Sequence, residues 1–308
     1  MNGLGGNATR LRLANRLTAL ALAAVCLGSP WGAAQAQAPT QAAQTLLDQR
    51  SALSEQLQNN AFARPLVLQS AETAQGMRGD IYALMAYPFA VVSKALQDPK
   101  QWCEVMILHP NTKYCHAVTA PPGPVLNVNI GTKKPQTLTQ APRVAFNYNV
   151  AAAQPDYFEV QLQAADGPMG TSDYRIALEA VALPNNQTFL HLTYSYSANL
   201  AGKLAMQAYL ATAGSNKVGF TVDGEPVDGH PAWITGVRSV VERNTMRYYL
   251  AIDSYLASTR QPGAGRFERS LQTWFTASER YSRQLHELER PAYLKMKRAE
   301  YLRQQTAQ

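Results

Sequence analysis

Cys103, His109, Cys115 and His116 fall within one short stretch of this 308-residue chain. Thiol and imidazole groups that close together can hold a transition metal, but their spacing matches no usual zinc pattern. In an oxidising compartment Cys103 and Cys115 would form a disulfide; in a reducing one they would remain free thiols. Closing so short a loop would stabilise the fold by roughly 3 kcal/mol in the chain-entropy picture. Elsewhere the chemistry-bearing residues are scattered. His191 sits among tyrosines on a predicted strand and suits a satisfied core or pocket-wall histidine more readily than a general base. Glu159, Asp173 and Glu179 lie on strands without a pairing that sequence can establish. The chain has no Gly-rich phosphate loop, no G-x-S-x-G elbow and no H-E-x-x-H. No catalytic residue, metal or cofactor is therefore assigned, and enzymatic activity is left open with binding preferred.

The elements that must position these residues are read outward from 79–118. Ile81–Ala86 alternates as a half-buried strand does. Tyr87-Pro88 stops it, and Pro88 can open a helix carrying Phe89, Val92 and Leu96. Asp98-Pro99 ends that helix and starts a second with Trp102. Lys113–Val118 reads as another strand. Further alternating runs follow at 125–130, 143–151, 158–162, 174–182 and 189–197, separated by short turns, which makes an antiparallel meander. On the last run Phe189, His191, Thr193 and Ser195 share one face, and Leu190, Leu192, Tyr194 and Tyr196 the other. Asn199 can cap a helix over Leu200–Ala211. A long helix over 236–258 carries Val237, Val240, Val241, Tyr248, Ile252, Tyr255 and Leu256 at helical spacing, with Arg238, Glu242, Arg243 and Arg247 off that stripe.

The two ends differ from the middle. Arg10, Arg12 and Arg16 precede the apolar run Leu17–Leu27 and an A-x-A site at Ala34–Ala36, the pattern of a cleavable signal peptide over 1–36. Cleavage after Ala36 would export the protein, to a bacterial periplasm or beyond, and would remove Cys26. Residues 37–75 read as a Gln/Ala-rich mobile leader followed by a helix from Thr45. The net charge of +7 belongs to the ends: 263–308 carries nine Lys/Arg against five Glu, whereas 37–262 is neutral. A neutral body argues against a nucleic-acid face. In 263–308 an apolar stripe, Phe267, Leu271, Trp274, Phe275, Leu285 and Leu288, is followed past Pro291 by a second helix. This basic amphipathic tail either packs its stripe on the main domain or offers it to a membrane surface or protein partner.

The order of strand Ile81–Ala86, Pro88, Asp98-Pro99 and Trp102 resembles the opening of the START-like (SRPBCC, birch-pollen-allergen-like) helix-grip family. The resemblance covers 76–262 and implies an α+β fold: a curved antiparallel sheet gripping the long C-terminal helix, here with an added C-terminal helical tail and an insertion over 199–232. It also implies a cavity between sheet and helix for an apolar small molecule or lipid. Phe146, Tyr148, Tyr174, His191, Tyr194, Tyr196, Tyr248 and Ile252 are the candidates for its wall. Two rivals remain: a helix-grip enzyme acting on an aromatic or lipid substrate, and an envelope structural or interaction protein whose core is filled.

Overall fold

The computed structural model describes residues 40–73, 76–212, 214–226, 229–261 and 263–306. The expected signal peptide over 1–36, with Cys26, lies outside them.

Among the described residues, alternation and turn chemistry produce eight strands. They are β1 (Leu66–Thr73), β2 (Gly76–Met85), β3 (Thr112–Ala120), β4 (Gly123–Ile130), β5 (Arg143–Ala153), β6 (Tyr157–Asp166), β7 (Thr171–Leu183) and β8 (Gln187–Ala198). All pair antiparallel, in the order β1-β2-β8-β7-β6-β5-β4-β3. The helices among the described residues are α1 (Gln41–Ala52), α2 (Ser54–Gln58), α3 (Phe89–Leu96), α4 (Pro99–Met106), α5 (Leu200–Ala211), α6 (Gly236–Ser258), α7 (Ala264–Glu279), α8 (Ser282–Leu285) and α9 (Arg290–Thr306). The curved sheet holds α6 against its inner face, so the expected α+β helix grip is present. Close approach of α6 depends on Gly79. A Cβ there would stand 2.3 Å from Thr245 Oγ1.

The strand–proline–helix–Asp–Pro–Trp opening has a physical logic. Pro88 stands at the N-cap of α3, and Asp98 accepts a hydrogen bond from the Lys100 amide to start α4. Trp102, fully buried, then donates its indole N–H to the Leu96 carbonyl at the end of α3, at 2.7 Å. The tryptophan thus satisfies a helix-end acceptor while filling the core. Cys103 on α4 and Cys115 on β3 form a disulfide.

Three features differ from the sequence reading. First, α1 begins at Gln41 rather than Thr45, with Thr40 as its cap. Residues 41–44 belong to structure because Ala43 and Leu46, with Leu53 and Leu57, pack on the outer face of the sheet against Val67, Tyr157, Val181 and Phe189. Second, Leu66–Thr73, within the stretch 37–75 read as leader and helix, is a full edge strand. Third, α6 is buried around its circumference, at sixteen of its 23 residues, Glu242, Arg243 and Arg247 included. Helices α5 and α7 and the segment 214–226 cover the side that faced away from the sheet. Glu242 is paired there without a cation: it accepts from Ser70 Oγ, from Thr221 Oγ1 and from the amides of Phe220 and Thr221.

The tail turns its stripe inward. Phe267, Leu271, Trp274, Leu285, Tyr293 and Met296 join the main core. Helix α9 lies along β3, which among the described residues has no strand on its other side. Gln304 accepts the Cys115 N–H, Arg303 donates to the Lys113 carbonyl, and Lys297 donates to the carbonyls of Thr112 and His109. Side chains of α9 thereby occupy backbone groups that would otherwise be an exposed sheet edge.

Candidate functional site

A cavity of about 540 Å³ lies at one end of the grip. Its floor is sheet: Ile130 ends β4, Phe146 is on β5, Tyr174 on β7 and Tyr194 on β8. Its roof is the first half of α6, from Val240 to Tyr248, and α5 closes one side with Ala205, Met206 and Tyr209. The loop between β4 and β5 contributes Lys133 and Gln136, and the β6–β7 turn contributes Met169. The expected insertion over 199–232 is in this way part of the cavity wall.

The aromatic wall is continuous. Tyr174 lies 6.3 Å from both Phe146 and Tyr194, and Tyr194 lies 5.3 Å from Tyr248, ring centre to ring centre. Burial raises the phenol pKa values of Tyr174, Tyr194 and Tyr248, so these rings stay neutral and serve as apolar surface with a hydroxyl handle.

The polar part of the lining was not foreseen as site. His109 is 4 % exposed and stacks on Tyr248 at 5.0 Å. Its Nδ1 accepts the Asn111 amide N–H, which places the proton of the neutral ring on Nε2, and Nε2 has no partner among the described residues. Burial, then the cations Arg247, Lys297, Lys133 and Lys113, hold this imidazole well below its ordinary pKa. Arg243 and Arg247, each 1 % exposed, also line the cavity. Arg243 donates to the Val218 carbonyl and to Ser239 Oγ. Arg247 and Lys133 both bind Glu287 Oε1 at 2.6 Å, and Lys217 binds Oε2 of the same carboxylate at 3.2 Å. Burial, then Arg247, bring Lys133 down to about 8. Burial alone would raise the Glu287 carboxyl, but Arg247, Lys133 and Lys217 outweigh it and hold the group to about 2. Placing Arg243 and Arg247 off the apolar stripe of α6 hid them, since a charged residue off the stripe ordinarily faces water. The signal that could have found them is Glu287, which needs cationic partners if buried, yet nothing local marks it.

The eight side chains proposed as cavity wall separate in space. Phe146, Tyr174, Tyr194 and Tyr248 meet at the cavity. Tyr196 lies beside it in a smaller recess of about 180 Å³, with Met77 and Val237. Tyr148 points to the other end of the sheet and donates its hydroxyl to the Leu96 carbonyl at 3.0 Å. Ile252 is fully buried in the packed core two helical turns further along α6 from Asn244. His191 is on the outer face. It is three residues from Tyr194 on one strand, and an odd separation reverses the face. There its ring bridges Asp80 Oδ1 and Glu179 Oε1, each at 2.8 Å, and stacks on Tyr82 at 4.1 Å.

No family model matches the chain, and no curated protein matches it. Solved structures do. The chain is similar to structures of START superfamily proteins. A STAR-related lipid transfer protein from Xanthomonas axonopodis aligns at 13% identity and TM-score 0.37, over 64% of this chain and 94% of that one. An aromatase/cyclase from Streptomyces aligns at 12% identity and TM-score 0.37, over 65% and 99%. A START superfamily protein from Mycobacterium smegmatis aligns at 13% identity and TM-score 0.30, over 49% and 92%.

Proposed function

We propose that this chain is an exported protein that binds an apolar small molecule or lipid in the cavity between the sheet and α6. The observation that carries the reading is the cavity itself. At about 540 Å³, with an aromatic wall and a few placed polar groups, it has the size and composition of a small-molecule site, ordinarily about 300–1,000 Å³. A filled core, expected of a purely structural envelope protein, would have no such space. The signal-peptide pattern over 1–36 and the Cys103–Cys115 disulfide support export.

Native mass spectrometry of protein purified from its own compartment, followed by solvent extraction, tests this. A stoichiometric apolar adduct that is weakened in Tyr194→Trp, which narrows the cavity, is the expected result. A bare mass, together with no saturable uptake of the neutral dye Nile red, would defeat it.

A further inference from the structure

The cavity lining is unbalanced in a way that specifies its occupant. Lys133, Arg243 and Arg247 line it, and among the described residues no carboxylate does. Glu287 stands behind them, and its one charge is shared among Arg247, Lys133 and Lys217. Arg243 makes no ion pair among the described residues; its protein partners there are neutral. Donors are also in excess. His109 Nε2, Arg243 Nε and Arg247 Nε are buried N–H groups without an acceptor among the described residues. Buried charges and donors left unmatched are costly, and an acceptor-rich anion is what would match them. Guanidinium groups suit carboxylate and phosphate oxygens because their N–H donors form a planar fork. The rest of the lining carries no further Lys, Arg, Asp or Glu and includes Phe146, Tyr174, Tyr194, Tyr209 and Tyr248, and the cavity is far larger than an inorganic anion needs.

We propose that the cavity takes an amphipathic anion, a carboxylate- or phosphate-headed molecule with an apolar body, whose head is received by Arg243, Arg247 and Lys133 beside the His109 Nε2–H and whose body lies along Tyr174, Tyr194 and Tyr248. This rests on the reading of the cavity as a ligand site and adds the sign and the place of the ligand's charge.

The test is calorimetric titration of the full-length protein with dodecanoate, dodecyl phosphate, uncharged methyl dodecanoate and inorganic phosphate. One or both amphipathic anions should bind at least about tenfold more tightly than the ester, and inorganic phosphate far more weakly than dodecyl phosphate. The better of the two anions names the head group. Arg243→Gln should remove most of that preference, and Arg243→Lys should retain part of it. Should Arg243→Gln fail to fold, the anion–ester comparison on the unaltered chain still decides. Equal affinity for ester and acid would overturn the charge assignment and leave the apolar cavity standing. Inorganic phosphate binding as tightly as dodecyl phosphate would overturn the amphipathic assignment. Binding of none of the four would overturn this inference and the cavity reading together.

Discussion

His191 is held from both ends of its ring, and that makes it a pH-dependent clamp between strands. Asp80 is on β2, His191 on β8 and Glu179 on β7, so one imidazole ties three neighbouring strands. Arg78 and Thr193 support Asp80, and Tyr157 donates to Glu179. Burial alone would lower the His191 pKa, but the hydrogen bonds to Asp80 and Glu179 outweigh it and raise it. Burial likewise opposes both carboxylates, yet hydrogen bonds from His191 with Arg78 or Tyr157 bring both below their ordinary range. A raised histidine stabilises fully below its unfolded value of about 6.5 and loses the contribution as pH climbs through the folded value. Lowered carboxylates stabilise above roughly 4–4.5 and lose the contribution as pH falls. The clamp is thus strongest from about pH 4.5 to 6.5. His191→Gln should cost roughly 1.5–3 kcal/mol in guanidinium unfolding at pH 6, and clearly less at pH 9. A penalty equal at both pH values would mean that the ring stays neutral between its two carboxylates.

Among the elements, α9 is the one whose contribution is electrostatic as much as apolar. It presents Lys297 and Glu300 to Lys113 of β3, all essentially buried, with Glu300 bound to Lys113 at 3.0 Å and to Lys297 at 2.5 Å. Burial, partly offset by Glu300, brings Lys297 down to about 8. Glu300→Gln would leave two buried ammonium groups without their carboxylate, which should cost about 3–5 kcal/mol in urea unfolding. A loss under about 0.5 kcal/mol, the surface range, would mean that water reaches both lysines. On α6, Ile252→Ala should cost roughly 2–5 kcal/mol, because the side chain is fully buried in the main core. Much at this scale was legible in the chain. The helix over 200–211 follows from the Asn199 cap and the one over 236–258 from the 3.6 period, and the strands from alternation with turn residues between them. What periodicity could not supply was which faces acquire a second neighbour. Arg243 and Arg247 look solvent-facing on α6 alone; Val218, Leu285 and Glu287, far along the chain, bury them. The cavity wall was half legible for the same reason. Four of its aromatics share the inner face by strand and helix parity, whereas Tyr148 and Ile252 share that face but at positions along the elements that pattern does not fix.

For the molecule as a whole, the question is whether residues 264–308 are an appendage or part of the domain. A basic, aromatic tail beginning at 263 suggests that removing it would leave the main body folded. The structure argues otherwise. Phe267, Leu271, Trp274, Leu285, Tyr293, Leu294 and Met296 are buried in the main core, and each such side chain contributes roughly 1.5–3 kcal/mol. Seven of them together reach the scale of a whole domain's net stability, about 5–15 kcal/mol. Deletion would also strip Gln304, Arg303 and Lys297 from the β3 edge and leave Arg247 and Lys133 without Glu287. Reopening a sheet edge invites intermolecular pairing, and leaving buried cations unmatched adds to the loss. A chain ending at 263 should therefore lack a cooperative thermal transition and aggregate, and supplying 264–308 as a separate polypeptide should restore part of the transition. If the shortened protein instead melts cooperatively within a few degrees of the full chain, the tail's burial does not govern the fold. The contacts of α7–α9 would then be docking contacts on a domain already complete.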